Sequence, residues 1–119
     1  MKHHAAARRI VVRTLHRLPP ELRDAARAVP VCFEDFPADE LVTDGLDPGI
    51  LGLFVGAPRH EHANEPGPPP QIILYLENIL EECEDVGTSF EEEVRRTYLH
   101  ELGHYLGLDE EALAERDLD

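Results

Sequence analysis

The sequence predicts an α+β fold in one small domain, and three observations carry that expectation. A chain of 119 residues with 42% hydrophobic content has room for one compact core. Three short apolar segments, residues 31–36, 50–55 and 71–76, are bounded by proline, glycine or acidic turn residues and read as strands. Helical spacing of apolar residues marks the N-terminal third and the stretch after the last strand, including one long helix near the C-terminus.

Met1 to His4 reads as a disordered terminus, with one domain from residue 5 to residue 119; His3 and His4 lack further ligands nearby and are taken as bystanders. Residues 5–18 place Ile10, Val11, Leu15 and Leu18 among arginines at helical spacing, until Pro19 and Pro20 stop the helix. A second helix follows, with Pro20 in its first turn and Leu22, Ala25, Ala26 and Val29 along one side as far as Pro30. The strand at 31–36 gives way to acidic turn-formers, and Ile50 to Val55 forms the next apolar strand. Residues 57–70, with Pro66, Pro68, Pro69 and Pro70 and almost no apolar anchor, should be an exposed, flexible loop. Ile72, Ile73, Leu74, Tyr75 and Leu76 run without a polar break, as in a strand covered on both faces, and lead into a helix over 77–86 closed by Gly87. Thr88 and Glu91 have capping-box spacing for a helix from about Ser89 to Leu106. Gly107 supplies its left-handed end, and 109–118 reads as a last short helix. No internal repeat is visible.

The net charge of −14 disfavours nucleic acid as a partner, because phosphates require a basic surface. Residues 1–30 nevertheless carry +5, which leaves −19 on residues 31–119. The arginines of the first helices are expected to form a solvated face that complements the acidic remainder; a docking surface for an acidic partner is the alternative. No apolar run reaches the ~18 residues a membrane helix needs, and no secretory signal is evident, so no membrane association and a cytoplasmic location are expected. Cys32 and Cys83 form no pair motif and read as reduced thiols.

The chemistry lies in His100-Glu101-Leu102-Gly103-His104 on the long helix. At 3.6 residues per turn the two histidines fall within about 40° of each other on one face, so both imidazoles can reach one metal ion. Glu101, about 100° away, can reach a water at that ion rather than the ion itself. Val94, Tyr98, Leu102 and Tyr105 form the opposing apolar stripe, which leaves the two tyrosines no catalytic role. Zinc with two neutral nitrogens and one carboxylate keeps a positive charge and an open position, which lowers the pKa of water toward neutrality. Glu101 would then act as general base and return the proton to a leaving amine.

The segment His-Glu-Leu-Gly-His-Tyr-Leu-Gly-Leu-Asp-Glu, residues 100–110, resembles the zincin superfamily, and more closely the minimal bacterial zincin-like metallopeptidases. The resemblance implies a small mixed sheet of three or four strands packed against the active-site helix, with additional N- and C-terminal helices. It also implies zinc as cofactor and peptides or proteins as substrates. In metzincins a histidine stands three residues beyond the glycine, whereas here that position is Glu110; the only methionine is Met1, so a Met-turn is also missing. The chain is therefore not an ordinary metzincin.

A carboxylate after Gly107 is the expected third metal ligand, with Glu110 preferred to Asp109, which equally suits an N-cap. His60 and His62 fall in the flexible loop and read as solvated, with a role as oxyanion stabilisers or extra ligands the alternative. His16 reads as a surface residue. The leading functional expectation is a zinc-dependent peptidase or amidase. Its rivals are a catalytically silent zinc-binding interaction module and an interaction protein that uses its acidic surface. An intact Glu101 favours the first, because a structural zinc site needs no base and closes with four protein groups.

Overall fold

Burial along the third strand organises everything around it. The computed structural model of the protein describes residues 3–58 and 68–115, apart from the Glu110 side chain. Strand β3 (Gln71–Tyr75) lies at the centre of a three-stranded sheet, between β1 (Val31–Glu34) and β2 (Gly52–Val55). Ile72, Ile73, Leu74 and Tyr75 are all buried, as the uninterrupted apolar run predicts for a strand covered on both faces. β1 runs parallel to β3 with Val31 opposite Ile72, whereas β2 runs antiparallel with Gly52 opposite Leu74. The sheet is mixed, and no fourth strand occurs among the described residues.

Six helices occur among the described residues: α1 (His4–His16), α2 (Pro20–Ala26), α3 (Asp39–Thr43), α4 (Leu76–Val86), α5 (Phe90–Leu106) and α6 (Glu110–Glu115). Helix α5 is the hub, packed against α1, α4, α6, β2 and β3. Its stripe of Val94, Tyr98, Leu102 and Tyr105 is buried and meets Ile10 of α1, Ile72 and Leu74 of β3, and Ile79 of α4 in one core. Each fully buried side chain of this size contributes roughly 1.5–3 kcal/mol, so α5 is held far more firmly than its own propensity could achieve. Burial also pushes the Tyr98 phenol up to about 12, in keeping with a purely structural place in the core.

The elements differ from expectation at their edges, each time for a local reason. Helix α1 begins at His4, earlier than the Ala5 expected, because the His4 ring packs edge-on against Phe33 at 5.0 Å, and that of His3 lies 5.6 Å from Phe90. The acidic turn region contains the short helix α3, which starts after Pro37-Ala38 with Asp39 and Glu40 in its first turn. The cap of α5 is shifted by one residue. Thr88 N–H donates to Cys83 O at the end of α4 and its hydroxyl donates to Glu93 at 2.9 Å, and the cap is Ser89, whose Oγ accepts from Glu92 N–H at 3.0 Å. Ser89→Ala is therefore expected to cost about 0.5–2 kcal/mol in denaturant unfolding; a variant as stable as the wild type contradicts this cap.

Two contacts bring remote segments to the site. The buried Asn78 of α4 donates to Pro48 O at 2.8 Å and to Ile50 O at 2.9 Å, fixing the approach to β2. Arg13 of the basic α1 pairs with Glu91 of α5, one instance of the expected match between the basic N-terminal segment and the acidic remainder. His16 is exposed and both cysteines are free thiols. No helix among the described residues is long and apolar enough to cross a membrane. The expected mobility of residues 57–70 concerns mainly positions 59–67, which lie outside the described residues, as do Met1, Lys2 and positions 116–119.

Candidate metal centre and catalytic carboxylate

His100 and His104, one turn apart on α5, are both exposed, and their Nε2 atoms stand 3.4 Å from each other. Two imidazoles bound to one tetrahedral zinc at about 2.0–2.1 Å each require a nitrogen separation of roughly 3.3–3.4 Å. The pair thus already converges at the spacing that a shared ion demands.

Glu101 departs from the simple picture of core on one face and chemistry on the other. Its side chain is only 8% exposed, covered by β2. The antiparallel register explains how. Tyr75 N–H donates to Leu51 O, so Leu51, Leu53 and Val55 form the hydrogen-bonded pairs with β3, and Gly52 and Phe54 turn their backbone groups outward to α5. Phe54 N–H faces the Glu101 carboxylate and favours its charged form. Burial pushes the Glu101 carboxyl above the usual carboxylate range, opposed by the neighbouring His100 and His104 and by the Phe54 N–H. A carboxylate so placed is a stronger base than a solvated one.

Two glycines allow this close packing. A Cβ at Gly52 would lie 2.8 Å from Thr97 Cγ2 and 3.1 Å from Glu101 Cγ, so only glycine lets β2 settle onto the helix here. A Cβ at Gly103 would lie 2.9 Å from Leu108 O, where the chain folds back after the left-handed Gly107. That fold-back, closed by Leu108 N–H donating to Gly103 O at 2.8 Å, forms a cleft of about 430 Å³ lined by His100, Gly103, His104, Leu108, Asp109 and Leu113. A second cleft of about 380 Å³ lies on the other side of His100, between β2 and the start of α5. Ile50, Leu51 and Thr97 line it with Glu82, Glu93 and Arg96. Both clefts have the size of small-ligand sites.

A family model for zincin-like metallopeptidases matches residues 26–119, which contain the whole sheet, α5 and both clefts. The chain belongs to the zincin-like metallopeptidase family. No curated protein matches it at a significant level. Zincin-like proteins typically bind zinc, and the histidine pair fits that ion by its separation. Helix α1 precedes the matched region and buttresses α5 from the far side.

Of the expected zincin ligands beyond the histidines, Asp109 is described and Glu110 is described only in its backbone. Asp109 lines the cleft with His100 and His104, and its Oδ1 accepts from Ala112 N–H at 2.8 Å, the N-cap of α6. Among the described residues no three His, Cys, Asp or Glu side chains form a group that could hold a metal. The Glu110 side chain, His60 and His62 lie outside the described residues. The sequence reading did not single out Phe54, whose backbone N–H faces Glu101, or Glu82 and Arg96, which line the second cleft. Gly52, inside an apolar strand, was the one local signal of a close backbone approach.

Proposed function

We propose that this zincin-like protein is a zinc-dependent metallopeptidase that hydrolyses peptide or protein substrates, with Glu101 as general base. The observation that carries the proposal is the buried Glu101 carboxylate, packed under β2, next to two exposed imidazoles whose Nε2 atoms converge to 3.4 Å. His100 and His104 would hold zinc through Nε2, and zinc there would supply Lewis acidity toward a carbonyl and lower the pKa of water. Glu101 takes the proton from the attacking water on a carboxylate oxygen and delivers it to the leaving amine nitrogen. Phe54 N–H keeps the carboxylate oriented through both transfers, and β2 shields it from bulk solvent. A purely structural zinc site has no use for such a buried base.

The third ligand in this reading is a carboxylate just after Gly107, Glu110 in preference to Asp109. The existing hydrogen bond of Asp109 to Ala112 supports that order, since it gives Asp109 a capping role of its own. Glu110→Ala is expected to weaken zinc binding, whereas Asp109→Ala should mainly destabilise, by about 0.5–2 kcal/mol. If zinc titration finds neither variant weakened, the third ligand lies elsewhere, with His60 and His62 the next candidates. The test of the function itself combines zinc analysis of protein purified without a metal column with zinc-dependent cleavage of a peptide library. One zinc per chain without any turnover would leave a silent zinc module; no zinc would overturn the proposal entirely.

A further inference from the structure

We propose that the 380 Å³ cleft beside Glu101 is a specificity pocket for a lysine or arginine side chain of the substrate, received by the Glu82 carboxylate. This rests on the peptidase reading above and deepens it. The two clefts meet at His100, so a chain crossing the histidine pair can lay one side chain on either side of it. The 430 Å³ cleft is walled by Gly103, Leu108 and Leu113, and its one described acid, Asp109, already caps α6. The other cleft has a different charge balance. Arg96 bonds Glu93 at 2.9 Å and Glu92 at 3.4 Å, and Glu93 also accepts from Thr88, so these charges satisfy one another. The carboxylate of Glu82, half-buried on α4, makes no side-chain hydrogen bond or ion pair among the described residues. Apart from Glu101, reserved on the peptidase reading for the attacking water, Glu82 is thus the one carboxylate of the cleft wall without a cationic partner among the described residues.

Ile50 and Leu51 give that carboxylate an apolar surround, which suits a lysine or arginine whose methylene stem needs cover while its charged end finds a partner. A neutral side chain would bury the Glu82 carboxylate without compensation, and an acidic one would be repelled. The −19 charge of residues 31–119 acts in the same direction at longer range, drawing cationic peptides toward the site and turning acidic ones away.

The test uses the full chain carrying zinc in a Glu101→Gln background, where turnover is blocked on the peptidase reading. A fluorescein-labelled octapeptide with one central lysine, and its norleucine counterpart, are titrated by anisotropy. The lysine peptide is expected to bind about fivefold more tightly, as a partly exposed ion pair allows. Adding Glu82→Gln should erase that difference, and Glu82→Arg should shift the preference to a glutamate peptide. Equal affinity for lysine and norleucine peptides, no detectable binding of the lysine peptide, or a lysine preference that survives Glu82→Gln would overturn the pocket. Cleavage by the zinc-loaded wild type provides the separate arm. Hydrolysis without a basic preference leaves the peptidase reading standing and removes the pocket; a Glu82-dependent binding preference without any hydrolysis does the reverse.

Discussion

Glu101→Gln is expected to leave zinc in place and to lower hydrolysis by about 10²–10⁴-fold, the usual worth of a general base. The amide is nearly the same shape, and its carbonyl oxygen can still face Phe54 N–H, so the side chain should keep its pocket under β2. It cannot take a proton near neutral pH. Burying an amide also avoids the cost of burying a charge, so the variant should unfold at a temperature no lower than the wild type. His104→Ala removes one of the two converging nitrogens, and zinc content and turnover should fall together. Zinc per chain measured beside kcat/KM separates the two variants. Turnover equal to wild type in Glu101→Gln, on a substrate cleaved in a zinc-dependent way, would refute the base assignment.

The contrast between those variants reflects what the sequence could and could not reveal. His100, His104 and the stripe from Val94 to Tyr105 were legible because helical periodicity alone decides which residues share a face, and Gly107 marks where the periodicity stops. The α+β class followed from three bounded apolar segments, and the two-sided burial of Ile72 to Tyr75 from their lack of alternation. Strand direction was different. Nothing local distinguishes β1, parallel to β3, from β2, antiparallel to it, and the mixed sheet was expected only through the family resemblance. The same limit hid the surroundings of Glu101: its cover and its Phe54 partner depend on the register of β2, a tertiary property. The α5 cap falls one residue later than expected because the Thr88 hydroxyl turns to Glu93 and its N–H closes the end of α4, contacts that spacing does not display.

Gly52→Ala is expected to cost about 1–3 kcal/mol of stability, the range for forcing an extra methyl into a packed interior, and to reduce turnover without altering either histidine. The new Cβ would stand 2.8 Å from Thr97 Cγ2, 3.1 Å from Glu101 Cγ and 3.3 Å from Ile73 O, so β2 and α5 must separate or Glu101 must shift. Helix α5 cannot yield easily, since Val94, Tyr98 and Leu102 are locked in the core. The strain should therefore fall on the contact between Glu101 and Phe54 N–H, lowering kcat while zinc affinity stays near wild type. Thr97→Ser removes the methyl nearest the new Cβ, so the double variant should regain stability relative to Gly52→Ala, with a favourable coupling in a double-mutant cycle. Activity should recover less than stability, because the approach to Glu101 Cγ persists. Thermal unfolding, zinc titration and kcat on the four members of the cycle read these effects separately. Unchanged stability and turnover in Gly52→Ala would show that β2 does not hold the carboxylate in place.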